Sequence, residues 1–480
     1  MAQPDLARRV LHGSAARAAG YVGGSLITAV ASIFLLRHLG IVDFGRYGTV
    51  MALLAIVSGL TEGGLTLTAT RDLSLQKTPE GRRTLLGEVL GLRIVLSLIA
   101  VAAAVAFAAI AGYDDTLVVG TVFAGLGVLL TSVQAVLLVP LVTDLRNSRV
   151  AVNDVVRQAL LAIGIIVLAL AGAGLGAFFV NQLAAGAALI ILTPFIVGRA
   201  NIVAPRLHRS RAWALLREAA PVAIATVLGI VYFRILVIIS SLLTSAEQTG
   251  RFVTSSRIIE LLVGLPLLIT GVVLPVMTVA ARENPGRMVY VTQRLTELAA
   301  LAGTLIAIVL ALGAEPILVL LGGEQYREVA PVLRIQAPMM ITMFLVSAWN
   351  PALIALNRQR AMALATALGL SAAVAGGLAL IPQFDANGAA AAASGAELVN
   401  ATAALVLLRA SGPGRELSFR WLPRALLVTA VAIAVGLVIP GGEWIPPIAA
   451  GLVFCLGTLL AGLLPPEVGD ALRRRRPLTP

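Results

Sequence analysis

Apolar runs of roughly twenty residues recur along the whole chain, the length an α-helix needs to cross the ~30 Å hydrocarbon core of a bilayer. Within hydrocarbon every backbone amide and carbonyl must be satisfied by protein, which leaves helices and closed barrels as spanning structures. These runs are continuously apolar rather than alternating, so the barrel pattern is absent. The fold class is therefore all-α, a polytopic membrane protein. Composition agrees, because 59% hydrophobic and 12% charged residues over 480 positions lie outside the range of soluble domains. About fourteen transmembrane helices are expected, near 18–37, 46–69, 86–111, 116–142, 151–171, 174–197, 217–243, 252–281, 289–312, 329–355, 360–381, 387–408, 422–439 and 444–464.

Charge placement orients that ladder. Most of the 36 Lys and Arg residues fall in loops on the side of the N-terminus. The other side holds Arg37, Arg46, Arg251, Arg327 and Arg334, and Arg234 and Arg257 are assigned to spans. By the positive-inside rule both termini are cytoplasmic in a multi-pass cell (cytoplasmic) membrane protein. The net charge of +12 then belongs to membrane lipids and not to nucleic acid, and the basic run 473–476 reads as a clamp on an anionic surface. Residues 1–17 are basic without a small-residue cleavage site, so the first span is expected to anchor itself.

Several chemistries are disfavoured. One cysteine, Cys455, permits neither a disulfide framework nor a cysteine metal site. His12, His38 and His208 lack metal-ligand spacing and are expected to be solvated, so no metal is assigned. No Gly-rich loop ending in Gly-Lys-Ser/Thr is present, which argues against ATP hydrolysis. The outer acids Asp114, Asp115, Glu315, Glu324 and Glu443 read as isolated on short loops, so no catalytic residue is assigned and the chain is not expected to be an enzyme.

Ionisable residues inside the spans are costly and mark pathways, ligands or internal pairs. In the hairpin 228–280, Arg234 lies about eleven residues before the turn 245–249 and Glu260 about eleven after it, which places them near one depth. Arg257 and Glu260 are three apart and share a helix face. They form either a self-neutralising pair or part of a cationic cavity. Glu62 and Glu397, the latter with Asn400 one turn on, are the ion-coupling candidates, with an internal hydrogen bond as the alternative. The coupling ion, Na+ or H+, is left open and no other cofactor is implied. Asn153, Asp154, Arg157 and Gln158 read mainly as cytoplasmic interface, with Arg157 a candidate for gripping an entering lipid head group. Asn181 and Gln182 interrupt the sixth span, Asn350-Pro351 is expected to break the tenth, and Asn357-Arg358 to close it. Tyr232 and Phe233 read as packing.

Gly250-Arg251-Phe252 echoes Gly45-Arg46-Tyr47 six spans earlier, which suggests two six-helix repeats. The expected domains are an N-terminal six-helix lobe 1–198, a basic cytoplasmic link 199–216, a C-terminal six-helix lobe 217–408, and two additional helices with a basic tail in 409–480.

Residues 34–48, Glu62-Gly63-Gly64-Leu65, Arg71-Asp72-Leu73, Tyr232-Phe233-Arg234-Ile235, Gly322-Gly323-Glu324-Gln325-Tyr326, Ala330-Pro331-Val332-Leu333-Arg334 and Leu356-Asn357-Arg358-Gln359-Arg360 follow one another in an order that resembles the polysaccharide-transport (oligosaccharide/O-antigen flippase) family. That family belongs to the multidrug/oligosaccharidyl-lipid/polysaccharide exporter superfamily. The resemblance implies a V-shaped bundle that flips a polyprenyl-diphosphate-linked oligosaccharide by alternating access for cell-surface polysaccharide biosynthesis, with glycosyltransferases and a polymerase of the same pathway as partners. It departs at Leu236, where relatives often carry an acid, and at Glu62, where aspartate is common. Arg234, Arg257, Glu260, Arg157 and Asn181 are the implied substrate contacts, since the planar arginine fork suits phosphate. A lipid II flippase, a small-molecule or drug antiporter of the same superfamily, and a membrane-embedded glycan-joining enzyme are the alternatives.

Overall fold

The structure, a computed structural model, describes residues 3–198 and 201–464; the run 473–476 and Arg199 lie outside them, as does the side chain of His12. Among the described residues there is no strand. The chain divides into two compact units between Ile238 and Ile239.

The first unit runs through α1 (Gln3–Glu62), α2 (Leu65–Leu75), α3 (Pro79–Ile110), α4 (Asp115–Leu137), α5 (Val139–Thr143), α6 (Asn147–Leu170) and α7 (Leu175–Val197) into most of α8 (Arg209–Leu243). The second contains α9 (Ala246–Glu283), α10 (Pro285–Leu312), α11 (Ala314–Gly322), α12 (Ala330–Gln336), α13 (Met339–Ala355), α14 (Gln359–Arg409), α15 (Leu422–Val438) and α16 (Ile445–Leu460). Eight described helices are long and apolar enough to cross a membrane, or nine if the bent α12–α13 pair is one span. Two of the expected loops shrink to single residues. In α1 the only departure from helix is Gly40, at φ 70°, and in α14 it is Asp385, at φ 49°. Glycine takes positive φ without a Cβ clash, whereas at Asp385, with ψ −128°, the backbone is strained.

Two further expectations are corrected. The bend in the tenth span is 48° and lies between α12 and α13, next to Pro338, whereas Pro351 sits inside a continuous α13. The link after α7 is not a free basic loop either, because α8 begins at Arg209. The preceding strand of chain lies along α3, where Arg206 N donates to Gly87 O at 2.8 Å and Arg206 Nη1 to Thr84 Oγ1 at 3.2 Å. A Cβ on Gly87 would stand 2.8 Å from the Ala204 carbonyl, so glycine is what permits this approach.

Each unit has its own packed interior. Leu65, Leu73, Val89, Leu90 and Leu215 join α2, α3 and α8, and Met277, Met288, Trp349, Leu353 and Leu408 join α9, α10, α13 and α14. Trp349 Nε1 is satisfied by Thr296 Oγ1 at 3.1 Å. In hydrocarbon such contacts act through close packing and internal hydrogen bonds, since lipid tails are as apolar as the side chains.

Four of the five acids expected to be isolated, Asp114, Glu315, Glu324 and Glu443, are paired. Glu315 accepts from Arg334 at 2.6 Å and from Arg327 at 3.2 Å, and Arg327 also reaches Glu324 at 3.1 Å and Glu443 at 2.8 Å. Asp114 pairs with Arg46 at 3.1 Å. The hydrogen bond from Arg334, with the charges of Arg334 and Arg327, holds the Glu315 carboxyl below its ordinary value against the opposing effect of burial. A depressed carboxylate stabilises the fold above its unfolded value of ~4.3 and loses that contribution as pH falls through the folded value. The thermal midpoint of the wild type is therefore expected to exceed that of Glu315→Gln at pH 7 and to converge on it in acid. Parallel curves at all pH values would remove this cluster from the stability balance.

Candidate functional site

The second expected span is broken. α1 stops at Glu62 and α2 starts at Leu65, and between them Gly64 takes φ 76°. A helix end leaves carbonyls without amide partners. Arg93 of α3 supplies one donor, hydrogen-bonding through Nη1 to the Thr61 carbonyl. Its side chain is only 1% exposed, its Nε has no hydrogen-bond partner, and it is attracted by the charge of Glu62. Glu62 itself is exposed. A buried cation thus holds the break, and the accessible carboxylate of Glu62 ends the helix there. Arg93 is the residue that sequence reasoning missed: it was counted with the basic loops although it lies seven residues inside the expected span 86–111.

Beside the break lies a cavity of about 430 Å³, lined by Leu60, Gly63, Leu96, Trp213, Leu216 and Arg217 among others. Its wall closes tightly because Gly63 faces α8; a Cβ there would stand 2.9 Å from Ala223 Cβ. At the same end of α8, Arg71 is engaged by Asp72 at 3.0 Å and by Glu218, and Arg211 by Glu88 at 3.4 Å. Arg217 is exposed and lines an otherwise largely apolar cavity. Such a site can hold an apolar chain against the wall and an anionic group at the rim.

The expected contact residues are distributed over both units. In the first, Arg234 is half-buried on α8 and engaged by its surroundings, while Leu236 is buried. Asn181 spans α7 and α6, donating to the Leu161 carbonyl at 3.1 Å. Arg157 is exposed on α6. Of its neighbours, Asn153 is buried and accepts from Gln134 at 2.8 Å, and Gln158 accepts from Thr28 at 2.7 Å. These bonds tie α6 to α4 and α1, because buried amides must find protein partners. His38 likewise is not simply solvated, with a ring nitrogen 2.7 Å from the Ala173 carbonyl. Tyr232 packs edge-on against Phe233.

In the second unit, Arg257 Nη1 lies 3.4 Å from Glu260 Oε2, with both side chains partly exposed. Glu397 is 3% exposed and accepts from Asn400 Nδ2 at 3.3 Å. Asn357, at φ 56°, ends the tenth span. Among the described residues no group of three or more His, Cys, Asp or Glu side chains is placed to hold a metal.

Comparisons with known proteins follow this geometry. A family model described as "Polysaccharide biosynthesis protein" matches residues 34–331, and no curated protein matches. Among solved structures, the lipid II flippase MurJ in an inward closed conformation aligns with a TM-score of 0.77 at 13% identity, covering 95% of this chain and 99% of that one. An inward-facing multidrug resistance MATE family transporter of the MOP superfamily aligns at 0.65 and 14% identity, covering 82% and 96%. The eukaryotic MATE transporter AtDTX14 gives 0.57 and 16% identity, with 85% and 97% covered. The fold is thus that of the MurJ and MATE transporters, a multi-pass membrane fold. With well over half of its length matched by the family model, the chain belongs to the polysaccharide biosynthesis protein family.

Proposed function

We propose that the protein is a flippase that moves a polyprenyl-diphosphate-linked oligosaccharide across the cytoplasmic membrane by alternating access. The observation that carries this reading is the cavity beside the broken second span, whose largely apolar lining includes the exposed Arg217. A diphosphate on a prenyl chain presents that combination, and a guanidinium makes charge-assisted, two-pronged bonds to phosphate oxygens. Arg234 and Arg257 add positive potential elsewhere on the route, with Arg257 moderated by Glu260. Glu62 and Glu397 are the carboxylates proposed to exchange a proton or sodium ion. Translocation alone is energetically neutral, so direction comes from such an ion gradient or from use of the product on the far side. Both termini are proposed to be cytoplasmic.

The test is reconstitution in liposomes with a fluorescent polyprenyl-diphosphate-linked sugar and quenching of the outer leaflet. Protein-dependent loss of protected fluorescence is expected. Absence of any protein-dependent change in accessibility, in protein shown to be folded, would defeat the proposal. In the same assay Arg217→Ala is expected to lower the rate about tenfold or more, the size of one charge-assisted hydrogen bond to phosphate. Lipid II assayed in parallel separates the neighbouring flippase reading, since preference for it over the oligosaccharide would replace the substrate proposed here.

A further inference from the structure

The second unit contains a separate cavity of about 510 Å³ where the first turns of α10 and α15 meet the segment before α15, lined by Tyr290, Arg294, Glu416, Trp421, Arg420 and Arg424 among others. Its frame is fixed by Gln293, which donates to the Ser418 carbonyl at 2.8 Å and accepts from Ser418 N at 2.9 Å. Glu297 is spent on this frame, held by Arg294 at 2.7 Å and by Gln293 at 2.8 Å. Arg294 also lies over the Tyr290 ring, 5.2 Å from its centroid. Two buried donors at the cavity, Trp421 Nε1 and Arg294 Nε, have no hydrogen-bond partner. Arg420 and Arg424 are exposed at its mouth.

Unsatisfied buried donors are rare in folded proteins and call for a missing acceptor. An anionic acceptor suits the site, because Arg420 and Arg424 in its lining add positive potential. Its source is set by position. Tyr290 stands near the start of α10, which is long and apolar enough to cross a membrane, and Trp421 directly precedes the shorter apolar α15, positions where amphipathic rings mark the headgroup level. Leu422, next to Trp421, is an exposed apolar side chain suited to an acyl chain running away from the pocket.

We propose that this cavity binds the phosphate headgroup of an anionic membrane phospholipid, with the Trp421 indole donating to a phosphate oxygen and Arg420 and Arg424 closing over it. Glu416 at the lining opposes the ligand and sets its affinity below what the arginines alone would give.

The experiment uses the full-length protein in nanodiscs of phosphatidylcholine doped with phosphatidylglycerol, reading retained lipid by native mass spectrometry and the thermal midpoint. The wild type is expected to retain phosphatidylglycerol and to gain thermal stability from it. Arg420→Ala with Arg424→Ala is expected to lose about twenty-fold in retention, since each basic residue near an anionic surface contributes about fivefold. Trp421→Phe should weaken it while keeping the ring, and Glu416→Gln should tighten it, a gain that misfolding cannot produce. Equal retention in wild type and the double arginine variant, no gain in Glu416→Gln, or equal retention of phosphatidylcholine would each overturn the proposal. Displacement of the lipid by millimolar inorganic phosphate, with the same stabilisation, would overturn the lipid source in favour of a soluble phosphate.

Discussion

Replacing Arg93 by Met is expected to reduce transport at least about tenfold while leaving the protein folded. Two opposing effects bear on stability. Losing the guanidinium strands the Thr61 carbonyl, and an unsatisfied buried acceptor costs about 1–3 kcal/mol. Removing a buried charge from a low-dielectric site relieves a desolvation penalty of several kcal/mol. The net change in stability is therefore small, and the thermal midpoint should move by only a few degrees. Function has no such compensation. The break between Glu62 and Leu65 loses the donor that fixes it, and Glu62 loses the positive charge that faces it. Arg93→Lys should fall between the two, since an ammonium keeps the charge but not the planar fork. A double-mutant cycle with Glu62→Gln reads the linkage directly: coupled groups deviate from additivity by about 0.5–3 kcal/mol. Wild-type transport in Arg93→Met would remove the break from the site, and strict additivity would separate the two residues.

How Arg93 escaped the sequence reading shows where sequence reasoning runs out here. The apolar runs that define an all-α membrane fold are legible because hydrocarbon imposes one rule on every backbone group. Charges are legible as anomalies only when they sit well inside a run. Arg93 stands near the start of its run, so it passed for part of a basic loop, and its role emerged only when the preceding helix was seen to end opposite it. The breaks themselves follow the same logic. Gly40 and Gly64 take positive φ, but many glycines in this chain sit in continuous helix, so glycine alone does not locate the discontinuities. Proline misled in the opposite direction at Pro351, where the helix continues, while the bend formed beside Pro338. Glu324 stands three residues from Arg327 and pairs with it locally, but Glu315 and Glu443 read as isolated because their arginines are distant in sequence. Only the fold brings them to Arg327 and Arg334.

The second large effect is expected at Gly63. This residue lies in the break, lines the cavity with Arg217, and meets α8. A Cβ at Gly63 would stand 2.9 Å from Ala223 Cβ and 3.3 Å from Ala223 Cα, so the neighbouring backbone, and not a flexible side chain, would have to yield. Overpacking of that kind costs about 1–3 kcal/mol. Gly63→Val should therefore lower the thermal midpoint and, by filling cavity space and pushing α8 away from α1, reduce transport about tenfold or more. The smaller Gly63→Ala tests the cause. Its defect should be relieved by Ala223→Gly, which deletes the methyl group it meets, and not by Val222→Ala, which serves the neighbouring position. Gly64→Ala should respond differently: Val222 Cβ would lie 2.8 Å away, yet shortening Val222 leaves the φ of 76° in place, a conformation that costs a residue with a Cβ about 1–2 kcal/mol. Partial rescue at Gly64 and full rescue at Gly63 would tie transport to the close approach of α1 and α8. Full rescue at both would make the clash the whole cause and leave no cost to the backbone conformation at Gly64, and rescue at neither would mean that helix packing at the break is not what transport senses.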